Sequence, residues 1–129
     1  MLSALRYALL LTLSVSSLAI ADETTIADGV YTDAQAETGA ALYEQHCLIC
    51  HDKKYFRPVL KRWEGQPLGM MYLIMSSSMP ESNPASLRQE EYVDILAYVL
   101  SLSRYPSGDT ALDYKDGALD KITVVPRKR

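Results

Sequence analysis

Cys47, Cys50 and His51 are spaced as C-x-x-C-H within the run His46-Cys47-Leu48-Ile49-Cys50-His51. Two thiols three positions apart can each add to one of the two vinyl groups on the same porphyrin edge. The imidazole that follows is then held under the iron, where it is a good axial ligand. The string reads as the attachment site of a c-type haem. Met79-Pro80 is the second anchor. Proline restricts the residue before it to extended geometry, so Met79 projects from a fixed stalk and is the candidate for the opposite axial face. Met75 is the alternative. Met70, Met71 and Met75 stand at helical positions, where methionine is most often core filler.

Three plainer readings of the cysteines compete. A thioredoxin-like pair wants a βαβ pattern around the motif, and the sequence offers none. A zinc site needs four ligands. The chain holds two Cys and two His, and with His46 next to Cys47 the geometry is poor. A local disulfide between Cys47 and Cys50 stays open. His46 is read as a surface residue. Nothing here requires a general acid, base or nucleophile, so the chain reads as a carrier and not as an enzyme.

The elements that position these groups must fit in 129 residues, which points to one domain. The first stretch stands apart. Met1 to Arg6 carries a positive charge, Tyr7 to Ile20 is apolar, and Ala19-Ile20-Ala21 is an A-x-A cleavage pattern. This is a secretory signal peptide, residues 1–21, and it implies a periplasmic product. The run is short for a membrane span, which needs about 20 apolar residues, so no stable span is expected after its removal. The formal charge is −3 for the whole chain and one unit more negative once Arg6 is gone, which argues against nucleic-acid binding.

Residues 22–32 are polar and without periodicity, which predicts an exposed N-terminal arm. Thr32 with Gln35 three residues on predicts a capped helix over 33–46, with Ala36, Gly39, Ala40 and Tyr43 on one face. Gly39 weakens a helix unless another helix approaches closely. Beyond His51, Pro58 predicts a loop. Phe56, Pro58, Leu60 and Trp63 are candidates to line a pocket, with the Trp63 indole in reach of a haem propionate. Lys53, Lys54, Arg57, Lys61 and Arg62 are expected around the pocket rim, where they steer an acidic partner. A helix follows from Leu68 to about Met75, then a loop from Ser76 to Pro80. Ser86, with Gln89 after it, predicts the cap of a last helix that runs to about Ser103. Its apolar stripe is Tyr92, Ile95, Leu96, Val99 and Leu100, and Ala97 and Tyr98 are placed to meet Gly39 and Tyr43. The domain proper is expected over 33–105, with residues 106–129 as a C-terminal extension that wraps it.

In this order the marks resemble class I c-type cytochromes, the small monohaem electron carriers. These marks are a helix with Gly39 and Tyr43, Cys47 to His51, Met79-Pro80, and the helix with Glu91, Tyr92, Ala97 and Tyr98. The resemblance implies an all-α cytochrome c fold with one covalently attached haem c and its iron. By it, Cys47 and Cys50 hold the haem, His51 is the proximal ligand and Met79 the distal one. A proline carbonyl, with Pro58 the candidate, accepts from the proximal imidazole. Trp63 to Gly69 and Tyr105 to Asp109 resemble a narrower subgroup, the cytochromes that accompany periplasmic pyrroloquinoline-quinone dehydrogenases. The implied role is one-electron transfer between redox partner proteins, a dehydrogenase as donor and an oxidase or another cytochrome as acceptor. A haem-based binder or sensor of small gases, and an electron-transfer subunit of a larger dehydrogenase, are the alternatives.

Overall fold

The computed structural model describes residues 23–127, and the expected signal segment lies outside them. The described chain is all-α: α1 (Asp33–His46), α2 (Phe56–Arg62), α3 (Leu68–Ser78) and α4 (Gln89–Leu102), then a 3-10 segment, Lys115–Lys121. Among the described residues no helix is long and apolar enough to cross a membrane.

α1 begins where Thr32 Oγ1 accepts from the Gln35 backbone N–H at 3.2 Å. The reciprocal half of the expected capping box does not form. The Gln35 amide instead pairs with the Leu112 backbone, donating to its carbonyl at 3.0 Å and accepting from its N–H at 2.8 Å. α1 buries Ala36, Gly39 and Tyr43 against α4, the most deeply buried helix, which offers Tyr92, Val93, Ile95, Leu96, Ala97, Val99 and Leu100. The two cross at Gly39. A β-carbon there would stand 1.8 Å from the Asp94 carbonyl oxygen, a separation no side chain tolerates. Beside the crossing, Tyr43 and Tyr98 pack edge to face with ring centroids 5.3 Å apart.

Three boundaries differ from the expectation. Pro58 lies within the first turn of α2 and not in a loop. The first N–H groups of a helix have no intrahelical acceptor, so proline loses nothing there. α3 runs on through Ser76, Ser77 and Ser78. Their hydroxyls donate to the carbonyls of Leu73 and Ile74 in the preceding turn, which satisfies them inside the helix. α4 is capped at Arg88 and not at Ser86: the Glu91 carboxylate accepts from the Arg88 backbone N–H at 2.8 Å.

The expected exposed arm is also corrected. Ile26 is fully buried and Tyr31 nearly so, and the Tyr31 hydroxyl donates to the Tyr105 carbonyl at 2.6 Å. Periodicity could not announce this, because the segment is neither helix nor strand. It is held by the far end of the chain. Ile26 N–H donates to the Thr123 carbonyl at 3.0 Å, and Thr123 N–H to the Thr24 carbonyl at 2.9 Å. On its other side the same tail accepts from Leu68 N–H at the Ile122 carbonyl, 2.8 Å, and donates from Val124 N–H to the Gln66 carbonyl, 2.9 Å. Residues 122–124 thus lie between residues 24–26 and 66–68.

Candidate functional site

The C-x-x-C-H motif forms the turn that ends α1. Cys47 N–H donates to the Tyr43 carbonyl at 2.9 Å, and both Cys50 and His51 N–H donate back to the Cys47 carbonyl, at 3.1 and 2.8 Å. Cys47 is half-buried and Cys50 exposed. Burial pushes the Cys47 thiol up to about 11, the opposite of the activation that a dithiol redox catalyst needs. The Tyr43 hydroxyl donates to the His51 carbonyl at 2.8 Å and to the Asp52 carbonyl at 3.2 Å, which ties the far end of the turn to α1. The His51 ring lies beside Tyr55, centroids 4.1 Å apart, and Phe56, 5.9 Å.

These residues form one side of a cleft of about 630 Å³. Cys47, Cys50 and His51 come from the motif, and Tyr55, Phe56, Val59 and Trp63 from α2 and its ends. Met71, Ile74 and Met75 come from α3, Met79, Pro80 and Glu81 from the loop beyond it, and Ile95 from α4. Met79 caps α3 in extended geometry, φ −115° and ψ 154°, as the following proline requires. Its N–H donates to the Met75 carbonyl at 3.0 Å. Its carbonyl accepts from the Tyr92 hydroxyl at 2.5 Å and from Ala85 N–H at 3.2 Å.

Of the four pocket candidates, Phe56 and Trp63 line the cleft. Pro58 is exposed on α2 and does not. Leu60 is buried in the hydrophobic core and lines a separate hollow of about 230 Å³. Helical spacing explains the split. Positions 56, 59 and 63 share one face of a helix, and 57, 60, 61 and 64 another. The loop reading of this stretch hid that division and passed over Val59. None of Lys53, Lys54, Arg57, Lys61 and Arg62 lines the cleft. Arg57 and Lys61 turn to the hollow behind α2, with Arg104 and Arg127. The ionisable side chains that join Cys47, Cys50, His51 and Tyr55 in the cleft wall are His46 and Glu81.

The arrangement fits a porphyrin. Its volume is that of a cofactor site, about 300–1,000 Å³, its walls are mostly apolar and aromatic, and its donors are sulfur and imidazole, the set that suits haem iron. The rival chemistries lack their frames. Among the described residues there is no strand for a thioredoxin-like unit, and no group of three or more His, Cys, Asp or Glu side chains gathers to hold a bare metal ion.

Residues 34–99 match the family model described as cytochrome C oxidase, cbb3-type, subunit III. Comparisons with curated proteins and with solved structures found no match. The matched stretch is half of the chain and contains every wall of the cleft. The chain belongs to this family of c-type cytochrome domains, electron-transfer domains with covalently bound haem c.

Proposed function

We propose that the protein is a periplasmic one-electron carrier in which Cys47 and Cys50 hold haem c through thioether bonds while His51 and Met79 occupy the axial positions. One observation carries this reading: a single apolar cleft is lined both by the motif and by Met79, the latter in extended geometry at the end of α3. Bound there, the haem supplies reversible one-electron exchange at a potential raised by His/Met ligation. The protein's part is to fill both axial positions, so that no site is left open to substrate, and to surround the group with Phe56, Val59, Trp63, Met71, Ile74 and Ile95. Ile49, 92% exposed, and the half-exposed Tyr55 both line the cleft on the motif side, which suits close approach of a partner.

The donor and acceptor follow from the resemblance and the leader. A basic start, an apolar run and Ala19-Ile20-Ala21 support export. Trp63 to Gly69 and Tyr105 to Asp109 support a periplasmic quinoprotein dehydrogenase as donor, with an oxidase or another cytochrome as acceptor. The protein is then a carrier and not itself an enzyme.

The test is the visible spectrum of the exported protein, oxidised and reduced. A low-spin reduced spectrum with sharp α and β bands, together with a weak far-red sulfur-to-ferric-iron band that Met79→Ala abolishes, is the expected result. A high-spin spectrum, or carbon monoxide binding to the reduced protein at neutral pH, overturns it in favour of the gas-binding alternative.

A further inference from the structure

Resting on Met79 as the sixth ligand, we propose that Tyr92 is the residue that positions it, a hydroxyl strut from α4 that keeps the Met79 sulfur on the iron. Met79 opens an irregular stretch that runs to the start of α4, and residues 81–86 of that stretch are all exposed. Packing therefore does little to fix the backbone that carries the ligand. Three hydrogen bonds do so. Met79 N–H donates to Met75, the last turn of α3, and the Met79 carbonyl accepts from Ala85 and Tyr92. Ala85 is itself exposed in the loop. Of the three partners Tyr92 is the fully buried one: the residue is 1% exposed, on the face of α4 that packs inside the molecule.

The same hydroxyl accepts from Leu87 N–H at 3.4 Å. One oxygen atom thus ties the first residue of the loop, Met79, to its far end, and both to α4. Phenylalanine keeps the ring and its packing but can neither donate nor accept, so Tyr92→Phe isolates the strut. His51 has a similar bond from Tyr43 on α1. There the motif is also fixed by two thioethers, whereas Met79 has no covalent tether, so the two tyrosines bear unequally on their ligands.

The test is a titration of the ferric holoprotein with imidazole, which competes with the methionine sulfur, followed by loss of the far-red band. Loss of a hydrogen bond of about 1 kcal/mol corresponds to a shift of roughly fivefold. The expected result is that Tyr92→Phe yields to imidazole at about fivefold lower concentration, with covalent haem and the reduced α and β bands unchanged, and that Tyr43→Phe behaves as the unaltered protein. A Tyr92→Phe protein with unaltered imidazole affinity overturns the inference and leaves Met79 ligation standing. Absence of the far-red band from the unaltered protein overturns both. Should Tyr92→Phe not accumulate, the strut is read in the unaltered reduced protein by NMR. A slowly exchanging Tyr92 hydroxyl proton with through-space contact to Met79 supports it, and a rapidly exchanging one overturns it.

Discussion

Gly39 on α1 faces the backbone of Asp94 on α4, so close that a β-carbon at 39 would stand 1.8 Å from the Asp94 carbonyl oxygen. Alanine is the better helix former by about 1 kcal/mol, so on propensity alone Gly39→Ala would stabilise. The contact reverses the sign. Main-chain atoms cannot swing aside as a side chain can, and the helices must separate at a cost of about 1–3 kcal/mol or more. Gly39→Ala is expected to lower the stability of the holoprotein by about 1–2 kcal/mol net. The urea midpoint measures it.

Leu60 separates the core from the cleft. It is buried, but on the face of α2 turned away from the cleft. Leu60→Ala is expected to cost about 2–5 kcal/mol and to leave the visible spectrum of the folded protein unchanged. A changed spectrum in the folded variant would put Leu60 against the haem.

Gln35 joins α1 to the chain beyond α4 through both hydrogen bonds of its amide with the Leu112 backbone. Gln35→Ala leaves that N–H and that carbonyl without their partners, at a cost of about 1–3 kcal/mol. Hydrogen exchange at the Leu112 amide is expected to accelerate well before global unfolding, because local opening suffices to release it.

Tyr43 makes stability fall in alkali. Its hydroxyl is pushed up to about 12, chiefly by burial and further by the ionisable groups at Tyr98, Asp52 and Tyr55. In the unfolded chain a tyrosine titrates near 10. The unfolded chain therefore releases this proton first as pH rises, and the stabilisation, complete below about pH 10, is lost progressively toward pH 12. Tyr43→Phe is expected to be less stable at neutral pH and to show a shallower alkaline decline. Tyr31 and Tyr105 are also raised by burial, so part of the decline remains. Denaturant titrations at a series of pH values separate the two proteins.

The sequence was most legible where chemistry or steric contact restricts residue choice. C-x-x-C-H, Met79 before Pro80, and Gly39 on a helical face beside Tyr43 are each tied to a local requirement, and the last gave the α1–α4 crossing with Tyr98 at its side. It was least legible where tertiary partners decide. Pro58 is a helix breaker in general and harmless in a first turn. Ser76 to Ser78 have loop composition, yet α3 runs through them with their hydroxyls bonded to its own carbonyls. Ser86 is the better cap by residue type, but Glu91 bonds back to Arg88 and starts the helix later. Ile26 looked solvent-exposed because its neighbours are polar, and it is buried by backbone pairing with residue 123. No local pattern encodes a partner so far along the chain. Tyr92 stood in the apolar stripe as a packing residue, and its second use became visible only when its hydroxyl met the Met79 carbonyl.

The meeting of Thr24 to Ile26 with Thr123 has a consequence for timing. A chain is made from its N-terminus, so Ile26 emerges well before Thr123, whose backbone pairs with it. Until then the early segment has no partner, while the two thiols between them are already available. Pairing between residues 26 and 123 also raises the mean sequence separation of contacts, which slows folding. The frame around residues 24–26 and 66–68 is thus completed only after Val124 arrives, well after Cys47 to His51. That order leaves time for haem to be attached before the structure shuts around it.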